Sequence, residues 1–208
     1  MTGRRRGRRG YDVDSLLRIS AEVFNERGYD GTSMEDLSAR LGITKSAIYH
    51  HVASKTELLR LAVDRALDAL FTLVGEPAAT SGPAIDRLEH VVRGSVRVLV
   101  DELPFVTLLL RVRGNTDVER RALQRRRELD HIVTDLVREA EAEGSIRPDV
   151  DPALTARLLF GTVNSLVEWY RPDRGLGGDD LADVLVAVVF DGLRQHEASP
   201  ARTAAAPS

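Results

Sequence analysis

Ser33-Met34-Glu35-Asp36-Leu37-Ser38-Ala39-Arg40-Leu41-Gly42-Ile43-Thr44-Lys45-Ser46-Ala47-Ile48-Tyr49-His50-His51 is the stretch on which the fold turns. Met34, Leu37 and Leu41 recur at helical spacing, Gly42 stops that helix, and Ile43 occupies the turn. The helix opens at Thr32 or Ser33; Thr32 with Glu35 has the form of a capping box, and Asp36 adds a negative charge to the positive first turn. Thr44 is a good N-cap for a second, short helix running through Lys45, Ser46, Ala47, Ile48, Tyr49 and His50. Such a pair makes a helix-turn-helix when the first helix braces the second and leaves its polar side chains outward. Leu37, Leu41, Ile43, Ala47 and Ile48 suit the brace. Thr44, Lys45, Ser46, Tyr49, His50 and His51 are left outside, and nearly all of them donate hydrogen bonds. Donors suit phosphate oxygens and the acceptor-rich edges of guanine and adenine. A small helical subdomain with solvated polar faces has the same pattern.

Upstream, Leu16, Leu17, Ile19, Ala21, Val23 and Phe24 fall largely on one face of a helix over Asp14–Arg27, which Gly28 ends. Before it, Arg4, Arg5, Arg6, Arg8 and Arg9 stand among glycines with nothing to pack, which reads as a disordered basic arm over 1–11. Such an arm is either a solvated tail or a segment that follows DNA. Downstream, Lys55 opens another helix, where it is placed to meet a phosphate together with free backbone N–H groups. Lys45 and Lys55 are the only lysines; every other basic side chain is arginine or histidine. Residues 1–60 carry a formal charge of +3 and residues 61–208 one of -6, a basic head on an acidic body.

The remainder reads as helix throughout. A helix from about Ser54 ends before Gly75; 76–83 is a plain loop; further helices are expected at roughly 84–102, 104–112, 117–143, 152–170 and 179–196. Asp117, Asp151 and Asp180 are candidate start signals. The Ala/Pro/Ser/Thr tail over 198–208 reads as disordered. Leu181 to Phe190 is apolar around much of its circumference, so a second subunit is its simplest cover. With Leu158, Val163, Leu166 and Val167 from the preceding helix, the last two helices then make a four-helix homodimer interface. A two-fold dimer presents two recognition helices to successive major grooves, so its DNA site is an approximate palindrome.

Composition narrows the function. The absence of cysteine removes disulfides and thiolate metal sites. No apolar run approaches the ~20 residues of a membrane span, and the basic N-terminus lacks a secretory apolar stretch, so a cytoplasmic location away from membranes is expected. His90, His131 and His196 are isolated from any acid or nucleophile at telling spacing, and there is no P-loop, GxGxxG or HExxH. No catalytic residue, metal site or cofactor is expected, and the chain does not read as an enzyme.

Residues 14–60 resemble the DNA-binding domain of TetR-family repressors. The likeness is carried by Phe24-Asn25-Glu26-Arg27-Gly28-Tyr29-Asp30-Gly31-Thr32-Ser33, by Leu41-Gly42-Ile43-Thr44-Lys45-Ser46-Ala47-Ile48-Tyr49-His50-His51-Val52 and by Ser54-Lys55. It implies an all-α protein of about nine helices, with a DNA-binding domain at 12–53 and a ligand-binding and dimerisation domain at 54–197. By the same resemblance the short third helix contacts DNA through Thr44, Lys45, Ser46, Tyr49, His50 and His51, with Ser33 and Lys55 on the backbone. Lys45 is expected to read sequence, and Tyr49, His51 and Lys55 to anchor. Double-stranded operator DNA and a small-molecule effector are the implied partners.

The effector site is expected among helices four to seven. Ser95, Leu99, Phe105, Leu109 and Ile132 are candidates for an apolar pocket, and each is equally a candidate for ordinary core. Arg93 with Arg97, Arg111 with Arg113, and Arg120 through Arg127 stand nearby; guanidinium groups suit phosphates, or they balance surface carboxylates. The segment Leu159-Phe160-Gly161-Thr162-Val163-Asn164-Ser165-Leu166-Val167-Glu168-Trp169-Tyr170-Arg171-Pro172 looks like the corresponding helix of TetR-type repressors that govern steroid, fatty-acid or phenylacetate breakdown. That branch responds to acyl-CoA thioesters, which makes phenylacetyl-CoA the first candidate. Asn164 and Glu168, one turn apart, are either polar ligand contacts or a satisfied buried pair. Two alternatives keep the DNA-binding head: a multidrug-sensing repressor of an efflux pump, and a ligand-independent architectural protein.

Overall fold

A computed structural model describes residues 12–193; the arginine run at 4–9, His196 and the tail at 198–208 lie outside the described residues. Among those described the chain is all-helical: α1 (Val13–Arg27), α2 (Met34–Leu41), α3 (Lys45–Tyr49), α4 (Lys55–Val74), α5 (Pro77–Thr80), α6 (Ala84–Asp101), α7 (Leu103–Arg111), α8 (Asp117–Ala142), α9 (Pro152–Trp169) and α10 (Gly178–Leu193). A single 3₁₀ turn at Pro172–Arg174 precedes α10. The count is ten rather than about nine, because the Glu76–Pro83 stretch, expected to be a plain loop, closes one helical turn with Pro77 in its first position.

Caps decide where the helices start. Asp12 accepts the Ser15 N–H at 2.7 Å to open α1, and Ser54 accepts the Glu57 N–H to open α4. The capping box of α2 is Ser33 with Asp36, one residue on from the expected Thr32 with Glu35. Thr32 is buried and its hydroxyl donates to the Gly28 carbonyl at 2.7 Å, so it closes the end of α1 instead of opening α2. Thr116 with Glu119 caps α8, which puts the expected start signal Asp117 at the first helical position. Asp151 caps α9 as expected.

Leu16, Val23, Phe24, Leu37, Leu41 and Ile48 close the head around α1–α3, and the same apolar cluster continues through Leu58, Leu59, Val63 and Leu67 of α4 into the body. There α6 is central, packed against α4, α8, α9 and α10. Gly94 lets α6 approach α4: a Cβ at that position would lie 2.2 Å from Leu73 Cδ1. Salt bridges from Arg93 to Asp183 and from Arg97 to Asp179 tie α6 to α10. The outer faces of the last two long helices stay apolar and exposed. Leu154 and Leu158 line one side of α9, Trp169 stands at its end, and Val184 and Val188 lie on α10, with Val188 74% accessible. No described helix is long and apolar enough to cross a membrane.

Gly42 ends α2 with φ +66, the left-handed region, and its amide meets the Ala39 carbonyl. Gly42→Ala is expected to lower unfolding free energy by about 1–2 kcal/mol, read by reversible denaturation. An unchanged midpoint would show that the turn relaxes at no cost.

Candidate DNA-contacting surface and effector cavity

The outer surface of α2 and α3 follows from how α3 is seated. Ile48 is fully buried and Ala47 and Ile43 half-buried, which fixes the rotation of this five-residue helix. Thr44, Ser46, Tyr49, His50 and His51 are thereby left exposed. Thr44 also caps α3 by accepting the Ala47 N–H at 3.2 Å. Ion pairs of Arg27 with Asp36 (2.8 Å) and Arg40 with Glu26 (2.7 Å) brace α2 against α1 behind this surface.

Three of the expected DNA contacts are already engaged. Lys45 forms an ion pair with Glu35, and that hydrogen bond raises the lysine's pKa and lowers the glutamate's. Both groups are exposed, so a phosphate can compete with Glu35 for the amine. Ser33 accepts the Asp36 N–H and donates to its carboxylate at 2.6 Å, which holds that carboxyl below its ordinary range. Lys55 turns inward. Its amine donates to the Tyr29 and Thr32 carbonyls, both at 2.8 Å, and lies 4.3 Å from the centre of the Tyr29 ring. It pins the α1–α2 loop with two of its three donors, so the expected reach to phosphate is not the geometry found. Glu35, which the sequence reading spent on a capping box, is the carboxylate on this face.

The body encloses a cavity of about 50 Å³ among α4, α6, α7, α8 and α9. Leu70, Leu99, Val106, Leu109, Leu129 and Phe160 supply most of its apolar wall. Of the expected effector residues, Ser95, Leu99, Leu109 and Asn164 line it. The Ser95 hydroxyl is spent on the Val91 carbonyl at 2.7 Å, whereas the Asn164 amide has no hydrogen-bond partner among the described residues.

The other five lie elsewhere. Phe105 is fully buried but faces the head, with the guanidinium of Arg65 4.6 Å and that of Arg18 5.5 Å from its ring centre. Arg111 donates to the Asn25 carbonyl at 2.8 Å. Arg113 is exposed and Ile132 half-buried, both away from the cavity wall. Glu168 is exposed, so Asn164 has no carboxylate companion one turn on.

Arg126, named in the sequence only as one of a run, proves central. It lines both the cavity and a larger outer groove of about 550 Å³ between α8 and α9, and so do Asp130, Phe160 and Asn164. Arg127, His131, Arg138 and Arg157 also border the groove. Arg125 next door is occupied, paired with Asp64 and Asp68 and stacked on Phe71, and Arg120 is paired with Asp117. Arg126, Arg127 and Arg157 form no ion pair among the described residues. Burial pushes the Arg126 guanidinium below its ordinary pKa, opposed by the nearby Asp130 charge.

Between cavity and head stands α7. Val106, Leu109 and Leu110 face the cavity, while the Pro104 carbonyl accepts the Asn25 side-chain N–H at 2.8 Å. Beside it Arg65 of α4 binds Glu102 through two hydrogen bonds of 2.8 and 2.9 Å, and also Asp14 of α1.

Comparison with known proteins agrees with this geometry. Residues 16–62 match bacterial regulatory proteins of the tetR family, and residues 81–193 match the tetracyclin repressor-like C-terminal domain. SCO3833 of Streptomyces coelicolor A3, a member of the TetR transcriptional regulator family, is 57% identical, with a TM-score of 0.80 over 86% of this chain and 91% of that one. The HTH-type transcriptional repressor KstR2 of Mycolicibacterium smegmatis is 26% identical over 187 residues, 88% of this chain and 91% of its own. AibR, solved in complex with isovaleryl coenzyme A and operator DNA, is 25% identical, with a TM-score of 0.72 over 85% of this chain and 97% of that one. The chain belongs to the TetR family of helix-turn-helix, DNA-binding transcriptional repressors.

Proposed function

We propose that this repressor works as a homodimer on a palindromic operator and is released from it by an acyl-CoA thioester. The observation that carries the effector reading is that an apolar cavity and a basic groove adjoin, sharing Arg126, Asp130, Phe160 and Asn164 as lining. An acyl group suits the apolar part, which it must spread to enter, and the phosphates of CoA suit the unpaired Arg127 and Arg157. AibR, with its isovaleryl coenzyme A, supports the same class. A hydrophobic cation, as an efflux-pump repressor would sense, meets an arginine at the neck and is disfavoured.

Release follows from differential affinity for two arrangements of the dimer. A ligand that spreads the cavity displaces α7. Because α7 holds α1 through Asn25, Arg111 and the Arg65–Glu102 cluster, the head moves with it. The spacing of the two recognition helices then no longer fits successive major grooves.

The direct test is fluorescence anisotropy at fixed salt, on DNA from the gene's own upstream region, titrated with phenylacetyl-CoA, isovaleryl-CoA and free CoA. Palindrome-dependent binding abolished by a thioester and untouched by free CoA is expected. Binding indifferent to every thioester would overturn the effector while leaving the repressor.

Two substitutions separate the remaining parts. Lys45→Ala is expected to weaken operator binding about tenfold or more, with a shallower salt dependence if the lost contact is to phosphate. Undiminished affinity would mean that Glu35 keeps Lys45 from DNA. Leu158→Glu with Val188→Glu is expected to shift the protein to monomer in sedimentation and to abolish cooperative binding to the palindrome. A persisting dimer would place the interface elsewhere.

A further inference from the structure

Arg126 is an unusual wall for a cavity closed mostly by leucine, valine and phenylalanine, whose other polar lining residues are Ser95, Asp130 and Asn164. Its single hydrogen bond among the described residues runs from Nη1 to the Leu109 carbonyl at 3.3 Å, which is long and leaves most of its five donors unused. Asp130, one turn away on α8, is exposed and forms no ion pair with it. Opposite, on α9, the Asn164 amide also lacks a partner. A partly desolvated guanidinium gains most from a planar anion that accepts two hydrogen bonds at once, which is the geometry of a carboxylate. A thioester carbonyl offers one neutral acceptor and brings no charge of its own to the guanidinium.

We propose that Arg126 and Asn164 form a carboxylate-binding neck, through which the cavity takes small apolar monocarboxylic acids as free anions. This inference rests on the reading of the cavity as the effector site. The acid's apolar body lies against Leu70, Leu99, Val106 and Phe160, and its carboxylate meets Arg126 at the boundary with the groove. The outer arginines are not needed, so the free acid and its CoA thioester compete for the cavity while only the thioester fills the groove. A carboxylate that draws Arg126 away from Leu109 also releases a carbonyl in the last turn of α7, a group with no partner inside that helix. The acid therefore acts on the same helix that joins cavity to head. In reaction terms, the step that attaches CoA to such an acid consumes one ligand of this site and produces the other.

The test is calorimetric titration of the full chain near neutral pH with sodium isovalerate and sodium phenylacetate, each beside its neutral primary amide. Both thioesters are run in parallel. Saturable binding of at least one acid is expected, with its amide about tenfold weaker or more, the loss appropriate to a charge-assisted hydrogen bond. Arg126→Gln is expected to reduce acid binding by the same factor and amide binding by much less, with Arg126→Lys in between for the acid. Equal affinity for acid and amide overturns the neck. So does undiminished acid binding by Arg126→Gln. Thioester binding with no acid binding overturns the neck but leaves the acyl-CoA reading standing; the reverse result keeps the neck and overturns the thioester. Should Arg126→Gln not fold, the acid-against-amide comparison in the unaltered protein decides alone.

Discussion

The Arg65 guanidinium is held between two carboxylates and an aromatic face, and the placement of head against body depends on that arrangement. Glu102 takes it bidentately from the junction of α6 and α7, Asp14 takes it from α1, and Phe105 lies beneath it. The carboxylates hold this guanidinium even more firmly protonated than usual, against a smaller opposing effect of burial. A half-buried cation of this kind is tolerable only while its partners stay in place, since removing one leaves an uncompensated charge. Three elements that need not otherwise keep one geometry are therefore bound to a single group, alongside the apolar face of α4 that runs through head and body alike.

This constraint gives α7 its part in the molecule. It is nine residues long, apolar on the cavity side, and tied on the other to Asn25 by a hydrogen bond at each end. Short rigid elements between two sites transmit displacement when packing offers them more than one seat. The buried Asn25 Oδ1 has no partner, so this junction is not fully satisfied.

The DNA face and the cavity use arginine and lysine differently. On the body several arginines hold helices together: Arg93 and Arg97 to α10, Arg125 to α4, Arg87 to α8. Arginines that the sequence offered as a phosphate cluster therefore divide into structural ones and the few left over at the groove. Lys45 and Lys55, singled out together by composition, divide likewise, one on the exposed face and one folded beneath the α1–α2 loop.

The helices, their order and the helix-turn-helix were legible in the chain alone because they depend on local chemistry: periodic apolar residues, the stop at Gly42, and hydroxyl or carboxylate start signals at 44, 54 and 151. Cap register was less legible, since Thr32 and Ser33 are both competent, and burial of Thr32 against Gly28 made the choice. The exposed face of α3 was predicted from the same periodicity, because one buried isoleucine is enough to orient so short a helix. The cavity was not predictable in this way. Phe105, Leu109 and Leu99 look alike as apolar residues, and only the crossing of α6, α7 and α8 determines which meets solvent space and which meets an arginine. Charge behaves similarly: which guanidinium goes unpaired depends on carboxylates about sixty residues away, as with Arg125 and Asp68. Local pattern thus determined the helices and which side chains α3 leaves exposed, whereas long-range packing alone decided that Arg126 and Asn164 line both the cavity and the groove.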